Sequence, residues 1–220
     1  KTDPLTQILK LPQPAAEWSR LATEKMKQGI GPDFQARLME AVFDDQRSNR
    51  EQLRALRLLA PGFQQLLPRD LQALCQHKQE EIRGQAAWLI GIRGQSDEYG
   101  WLTDLLGDSS AFVRRRAAEA LSRLSDPRAN EALARALSDK TRAVRYAAMT
   151  ALSHRPTSEI CRQISANPDP QSRMRLLVAT HLRKERASLE DIRTVLPGLF
   201  AGIQPNSEDH LDFLRLLALF

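Results

Sequence analysis

The apolar positions along the chain recur in one helical pattern between residues 79 and 182. Apolar or small residues stand one before, three after and seven after an arginine, and these offsets fall on one face of an α-helix. The arginines that lead the pattern are Arg83, Arg114, Arg145 and Arg175, spaced 31, 31 and 30 residues apart. A pattern that returns at a fixed period predicts a stack of repeated units, each containing one amphipathic helix.

A second apolar pattern precedes each of these helices and keeps the same period. Leu71 and Leu74 recur 31 residues later as Leu102 and Leu105. Prolines between the patterns mark helix boundaries, because the residue before a proline resists the helical conformation. These prolines are Pro127, Pro156, Pro168 and Pro170. Each unit is therefore predicted to be a helix, a short turn and a second helix.

The pattern continues more weakly on both flanks, around Arg54 and Arg215, which brings the total to about six units. Ser48 followed by Glu51 predicts a capping box at the start of one flanking helix. Residues 1–30 predict extra N-terminal helices that either cap the stack or belong to a preceding domain. Because no low-complexity linker divides the chain, we predict one all-α domain over residues 1–220, with the repeats in residues 33–220.

The position six residues before each aligned arginine holds a residue suited to a helix start. Asp and Ser there accept hydrogen bonds from the unpaired N–H groups of the first turn, and an acidic charge favours the positive helix end. The residues at this position are Ser48, His77, Asp108, Asp139, Asp169 and Asp209. We therefore predict these residues as helix N-caps.

Residues 124–152, LSDPRANEALARALSDKTRAVRYAAMTAL, resemble the short HEAT-like repeats of the phycobilisome-lyase type, which are widespread in bacterial proteins. The resemblance covers residues 68–183. It implies a right-handed α-solenoid, an armadillo-type superhelix in which the second helices line a concave face. It does not imply bilin chemistry, because the repeat motif describes packing and not a pigment site.

The resemblance also implies a ladder of aspartates and arginines that joins neighbouring repeats. His77 departs from the motif at the first well-matched repeat. The ladder residues that the resemblance implies are Asp108 with Arg114, Asp139 with Arg145, and Asp169 with Arg175. Their role is structural.

The sequence offers no motif for catalysis, and we predict no catalytic residue, no metal site and no cofactor. The four histidines form no HExxH motif and pair with no cysteine at ligand spacing. Cys75 and Cys161 lie 86 residues apart and are predicted to be small hydrophobic residues on helices. No apolar run approaches the roughly 20 residues that a membrane span needs. Since the chain begins with Lys1 and its last helix lacks a cap, we expect a fragment of a larger protein.

The chain is basic, with a net charge of +5, and the excess is uneven. Residues 126–187 contain 12 Lys and Arg against 6 Asp and Glu, whereas residues 188–220 contain 2 against 5. A basic stretch is the electrostatic footprint of nucleic-acid binding. The alternative is that long basic side chains cover helix faces and extend to water.

Helical geometry singles out the positions one and five after the aligned arginine, which face away from the predicted core. Tyr, Trp, Met and Arg are enriched in the centres of protein interfaces. The candidate partner-binding residues on the concave face are Trp88, Arg115, Glu119 and Tyr146 at these positions, together with Arg116, Arg123 and Met149. For Trp88 the alternative is packing between repeats. We predict a non-catalytic interaction scaffold for a protein or another domain of the parent chain, and as the alternative a basic nucleic-acid groove in residues 126–187.

Overall fold

The computed structural model describes residues 3–11, 17–59, 66–182, 189–204 and 207–218, and their regular structure is helical. The helices are α1 Pro4–Lys10, α2 Glu17–Ile30, α3 Phe34–Phe43, α4 Asn49–Leu59, α5 Pro68–Cys75, α6 Glu80–Arg93, α7 Tyr99–Leu105, α8 Ala111–Leu124, α9 Asn130–Ala136, α10 Arg142–Ser153, α11 Thr157–Ala166, α12 Pro170–His181, α13 Leu189–Phe200 and α14 Glu208–Leu217. Short 3-10 turns precede α3, α7 and α9. Within these ranges, none of the helices combines the length and the apolar character that crossing a bilayer requires.

From α3 onwards, the helices of the described ranges follow one another in six pairs, α3–α4 to α13–α14. The second helices α6, α8, α10 and α12 pack side by side along the stack. The first helices α5, α7, α9 and α11 form the other layer, and their contacts with one another are sparser. This arrangement confirms the predicted all-α solenoid, because each pair buries its apolar face mainly against the neighbouring pairs.

The predicted core positions are buried in three consecutive second helices. The side chains at these positions in α6, α8 and α10 are fully buried: Ile82, Ala86, Ile90, Val113, Ala117, Leu121, Val144, Ala148 and Leu152. A small residue stands in the middle of each set, which lets neighbouring helices approach. One close approach is at Gly91 of α6, where an added Cβ would lie 2.7 Å from the Cα of Ala120 in α8.

The register predicted for α12 is wrong by two residues. Leu182, which the pattern assigned to the core, is 53% exposed. The residues that α12 does bury on that face come two positions earlier: Ser172, Leu176 and Thr180. The arginine equivalent to Arg145 is therefore Arg173, not Arg175.

The shift arises at the connection between α11 and α12. Asn167 takes the place that Asp139 has in the preceding repeat. The backbone N–H of Asp169 donates to Asn167 Oδ1 at 3.0 Å, as the N–H of Thr141 donates to Asp139 Oδ1 at 2.7 Å. Ser172, with its hydroxyl hydrogen-bonded to the side chain of Asp169, occupies the core position that is apolar in the other repeats. A polar residue there conceals the repeat in the sequence.

The N-cap predictions are confirmed at two helices and wrong at others. The N–H of Ser48 donates to Glu51 Oε2 at 3.0 Å, and the N–H of Glu51 donates to Ser48 Oγ at 3.4 Å, which is the predicted capping box. Asp169 caps α12 by accepting from the N–H of Ser172. Asp108, Asp139 and His77 instead stand two residues before the cap residue, and Asp209 lies inside α14.

At the N-terminal end, α1 contacts both α2 and α4. Leu5, Ile8 and Leu9 of α1 are buried. Residues 12–16, which are part of the predicted N-terminal region, lie outside the described residues. The role of residues 1–30 as caps of the stack stays a prediction.

Candidate functional site

Two arginine–aspartate rungs join the second helices to the following repeats. Arg83 donates Nε and Nη2 to the two carboxylate oxygens of Asp108, at 2.7 and 2.9 Å. Arg114 makes the same two bonds to Asp139, at 2.6 and 3.1 Å. Paired parallel bonds of this kind are the strong form of an arginine–carboxylate contact. The rungs therefore fix the spacing between consecutive repeats.

The pairing within the ladder differs from the predicted one, because each carboxylate partner comes from the following repeat. Within its own repeat, Arg114 Nη1 donates to the backbone carbonyl of Asp108 at 2.8 Å, and Arg145 Nη1 donates to that of Asp139 at 2.7 Å. The arginine thus closes the turn before its own helix and pairs with the next one. Sequence offsets alone do not distinguish these two partners.

The third predicted pair, Asp169 with Arg175, is wrong because of the shifted register. Arg175 Nη1 donates to the carbonyl of Leu137 at 2.7 Å. The carboxylate of Asp169 accepts from the hydroxyls of Ser138 and Ser172. Arg173 holds the ladder position and donates to the carbonyl of Asn167 at 3.1 Å.

The rung carboxylates have lowered pKa values. Burial acts to raise the pKa of Asp139, but the hydrogen bonds from Arg114 and from the N–H of Thr141 outweigh it. The pKa of Asp108 is lowered in the same way, with burial opposed by the bonds from Arg83 and from the N–H of Ser110. Both carboxylates are therefore held in their charged form.

A lowered pKa predicts loss of stability in acid. Because the folded-state pKa lies below the unfolded value of about 3.9, the rungs contribute fully above that pH and lose their contribution as the pH falls through the folded pKa. We expect the free energy of unfolding to fall below about pH 4 more steeply in the natural chain than in an Asp108→Asn, Asp139→Asn double variant. Urea unfolding at several pH values measures this. Parallel curves of unfolding free energy against pH for the two proteins would contradict the lowered pKa values of Asp108 and Asp139.

A groove of about 380 Å³ lies between α8 and α10. It is lined by four of the predicted partner-binding residues, Arg115, Glu119, Arg123 and Tyr146. Its other lining residues are small: Ser122, Ala143, Ala147 and Thr150. Glu119 is fixed by ion pairs with Arg115 and Arg116, each at 3.2 Å. This groove thus combines small side chains and the ring of Tyr146 with two arginines and one glutamate.

A second groove, of about 240 Å³, lies between α10 and α12. Tyr146 and Met149, both predicted partner-binding residues, line it. Its remaining lining residues are basic: Arg142, Arg145 and Arg175. Tyr146 contributes to both grooves and is 65% exposed. Helical offsets identified Tyr146 and Met149, but they gave no reason to join Arg142 with Arg175, which lies on a different helix.

Two predicted residues lie outside the linings of these grooves. Trp88 is half-buried and packs against the hydrophobic core. Arg116 lies over the ring of Phe112, 5.6 Å from its centroid, in addition to its ion pair with Glu119. Both therefore have packing roles beside the candidate surface.

Part of the basic stretch in residues 126–187 is engaged within the fold, and residues 183–187 of that stretch lie outside the described ranges. Arg128 pairs with Asp126 at 2.6 Å and lies 4.0 Å from the ring centroid of Tyr99. Arg155 is 1% exposed and donates to the carbonyl of Leu121. Within residues 126–182, Arg142, Arg145 and Arg175 together line the groove between α10 and α12.

The cysteines have the properties of packing residues. Burial, followed by the charges of Glu98 and Asp104, raises the pKa of Cys75 to about 12. Burial also raises the pKa of Cys161, which is half-buried. Thiols of raised pKa are poor nucleophiles because the thiolate is the reactive form. Among the described side chains, no group of three or more His, Cys, Asp and Glu could hold a metal ion.

Comparison with known proteins identifies the repeat. The family described as HEAT repeats matches residues 36–122 and 101–161, more than half of the chain. The complex of CpcE and CpcF of phycocyanin lyase from Nostoc sp. PCC7120 is similar, with a TM-score of 0.50, 15% identity and coverage of 100% of this chain and 95% of that one. No curated protein matches the chain.

Two further solved structures are similar over most of the chain. A designed armadillo repeat protein in complex with the peptide (KR)4 has a TM-score of 0.48 and 17% identity, with coverage of 90% of this chain and 100% of that one. The Pds5–Scc1 complex has a TM-score of 0.48 and 13% identity, with coverage of 98% and 45%. At these identities the similarity concerns the fold alone.

Proposed function

The chain belongs to the family of HEAT repeat proteins, and we propose that it is a non-catalytic scaffold that binds a polypeptide segment of a partner protein, or of another domain of its parent chain. The segment lies across the concave face of α8, α10 and α12. Stacked repeats of this kind provide an extended surface on a rigid helical layer. Such folds commonly serve protein interaction, and we assign this role here to the residues that line the two grooves.

The observation that carries the proposal is the exposure of Tyr146 between two grooves. An aromatic ring that is 65% exposed contributes little to the fold. Aromatic residues and arginines are the residue types that dominate the binding energy of protein interfaces. The small side chains of Ala143 and Ala147 leave room beside the ring for side chains of a bound segment.

The competing function is nucleic-acid binding by the basic stretch. The engagement of Arg128 and Arg155 within the fold weakens this alternative. The carboxylate of Glu119 in the first groove also opposes a phosphate backbone. Binding of a labelled duplex DNA at about 50 and 200 mM salt tests it, because affinity that depends on phosphate contacts falls steeply over this range. Strong binding at low salt that collapses at high salt would favour the nucleic-acid function over ours.

The main test of the scaffold function is peptide selection followed by substitution of the exposed tyrosine. Peptides selected from a random displayed library against the purified chain are expected to bind a Tyr146→Ala variant about tenfold more weakly, since central aromatic residues contribute at least ~1.4 kcal/mol. Fluorescence anisotropy measures the affinities.

His154 provides the matched control, because it is an exposed ring at the end of the same helix and lies outside both groove linings. His154→Ala is expected to bind the selected peptides with unchanged affinity. Peptides that bind both variants as tightly as the natural chain would exclude this face as the docking surface.

A further inference from the structure

We propose that the groove between α10 and α12 is a subsite for a carboxylate side chain, so that the bound segment is acidic and anchors a glutamate or aspartate among Arg142, Arg145 and Arg175. This inference rests on the proposed function, because it names the chemistry of the segment that the scaffold binds.

The ladder of arginine–aspartate rungs is interrupted after Arg114. In the two preceding rungs, the arginine meets a carboxylate of the following repeat, as Arg114 meets Asp139. For Arg145, the equivalent residue of the following repeat is Asn167, as the shared turn geometry demonstrates. A neutral amide therefore stands where an aspartate would complete the rung.

The three guanidinium groups that line this groove are only partly engaged within the fold. Arg145 donates only its Nη1 in the bonds to the carbonyls of Asp139 and Lys140, at 2.7 and 3.1 Å. Arg175 likewise donates its Nη1 to Leu137. Among the ion pairs formed within the described ranges, none involves Arg145, Arg175 or the exposed Arg142. Several N–H groups thus remain for a ligand.

The positive charges of Arg145 and Arg175 repel each other. Burial, followed by the positive charge of Arg145, lowers the pKa of Arg175. The carboxylate of Asp169 acts in the opposite direction, but its Oδ2 accepts from the hydroxyls of Ser138 and Ser172. A bound anion would relieve the repulsion, and arginine forks match the planar geometry of a carboxylate.

The surroundings favour a polypeptide over a nucleic acid as the source of the anion. Tyr146 and Met149 line the groove beside the arginines, so that an acidic residue and an apolar neighbour are accommodated together. The adjoining groove contains the carboxylate of Glu119, which a chain of consecutive phosphates would meet at close range. A peptide alternates charged and uncharged positions and avoids this conflict.

The experiment compares two labelled peptides, one of alternating glutamate and alanine and one of alternating glutamine and alanine, by fluorescence anisotropy with the full chain. We expect the glutamate peptide to bind and Arg142→Glu to weaken it at least tenfold. Arg142 is the residue to substitute because its side chain is exposed and helix α10 does not depend on it for a cap. Arg142→Lys, which keeps the charge, is expected to retain part of the affinity.

The control is Arg162→Glu, which changes the net charge equally at an exposed position of the outer helix α11. It is expected to leave the affinity for the glutamate peptide within twofold. Equal losses in both variants, or equal affinity for the two peptides, would overturn the inference. Duplex DNA binding that requires Arg142, with no binding of the glutamate peptide, would also overturn it. Library peptides that need Tyr146 but bind Arg142→Glu normally would refute this subsite and leave the scaffold function standing.

Discussion

An Asp139→Ala variant is expected to lose about 3 kcal/mol of unfolding free energy, because breaking a buried ion pair leaves an uncompensated charge. The side chains of Arg114 and Asp139 are only 9% and 11% exposed. Removal of the carboxylate leaves the guanidinium of Arg114 with the two carbonyls of its own turn. It also removes the bond that Asp139 accepts from the N–H of Thr141.

Urea unfolding followed by circular dichroism measures this loss. The control is Glu131→Ala, which breaks the exposed pair between Glu131 and Arg135. A pair of this kind contributes about 0.5 kcal/mol or less. Asp139→Asn imitates the natural residue at 167 and is expected to fall between the two. If Asp139→Ala were no more damaging than Glu131→Ala, the rungs would have no role in holding the repeats together.

The repeat fold could be predicted from the sequence because the fully buried positions are apolar and evenly spaced in α6, α8 and α10. The same reasoning failed in α12, where the buried position before the arginine holds Ser172. Arg173 and Arg175 are both candidates for the aligned arginine of this repeat. The pattern requires an apolar residue directly before that arginine, and Met174 therefore favoured Arg175, which is the wrong one. Only the turn at Asn167 resolves the register, and that turn depends on hydrogen bonds that the sequence pattern does not contain.

The candidate site was predicted only in part, because the sequence pattern shows which residues share a helix face but not which helices meet. Offsets along one helix place Tyr146 and Met149 together, and these are properties of local geometry. The second groove also needs Arg175, which comes from the next helix and which the predicted register wrongly assigned to the ladder. Which carboxylate an arginine meets is likewise a matter of packing between repeats. Sequence periodicity therefore locates the surface but not the charges that meet across it.

The ladder and the grooves lie on the same helices, which links stability to binding. The rungs at Arg83 and Arg114 are complete within the fold, whereas the rung of Arg145 lacks a carboxylate because Asn167 stands in the place of the aspartate. A ligand carboxylate in the groove between α10 and α12 would supply the anion that Arg145 lacks within the fold. Binding of the proposed segment should therefore stabilise the C-terminal repeats, since a ligand bound only to the folded state raises the free energy of unfolding.

The close contact between α6 and α8 leads to the second large effect on stability. A Gly91→Ala variant is expected to lose about 1–2 kcal/mol of unfolding free energy, although an alanine in a helix interior normally gains ~0.5–1 kcal/mol over glycine. The new Cβ would lie 2.7 Å from the backbone Cα of Ala120. Backbone cannot move aside as a flexible side chain does, so α8 must shift as a unit, and overpacking of this kind costs about 1–3 kcal/mol.

Gly100 is the matched control, because an added Cβ at this position in α7 meets nothing within 4 Å. Gly100→Ala is expected to leave the free energy of unfolding unchanged or to raise it. Thermal and urea unfolding of both variants measure the difference. Equal stability of the two variants would mean that α6 and α8 separate at little cost, and the grooves built on α8 and α10 would then lack the rigid support that binding by this face requires.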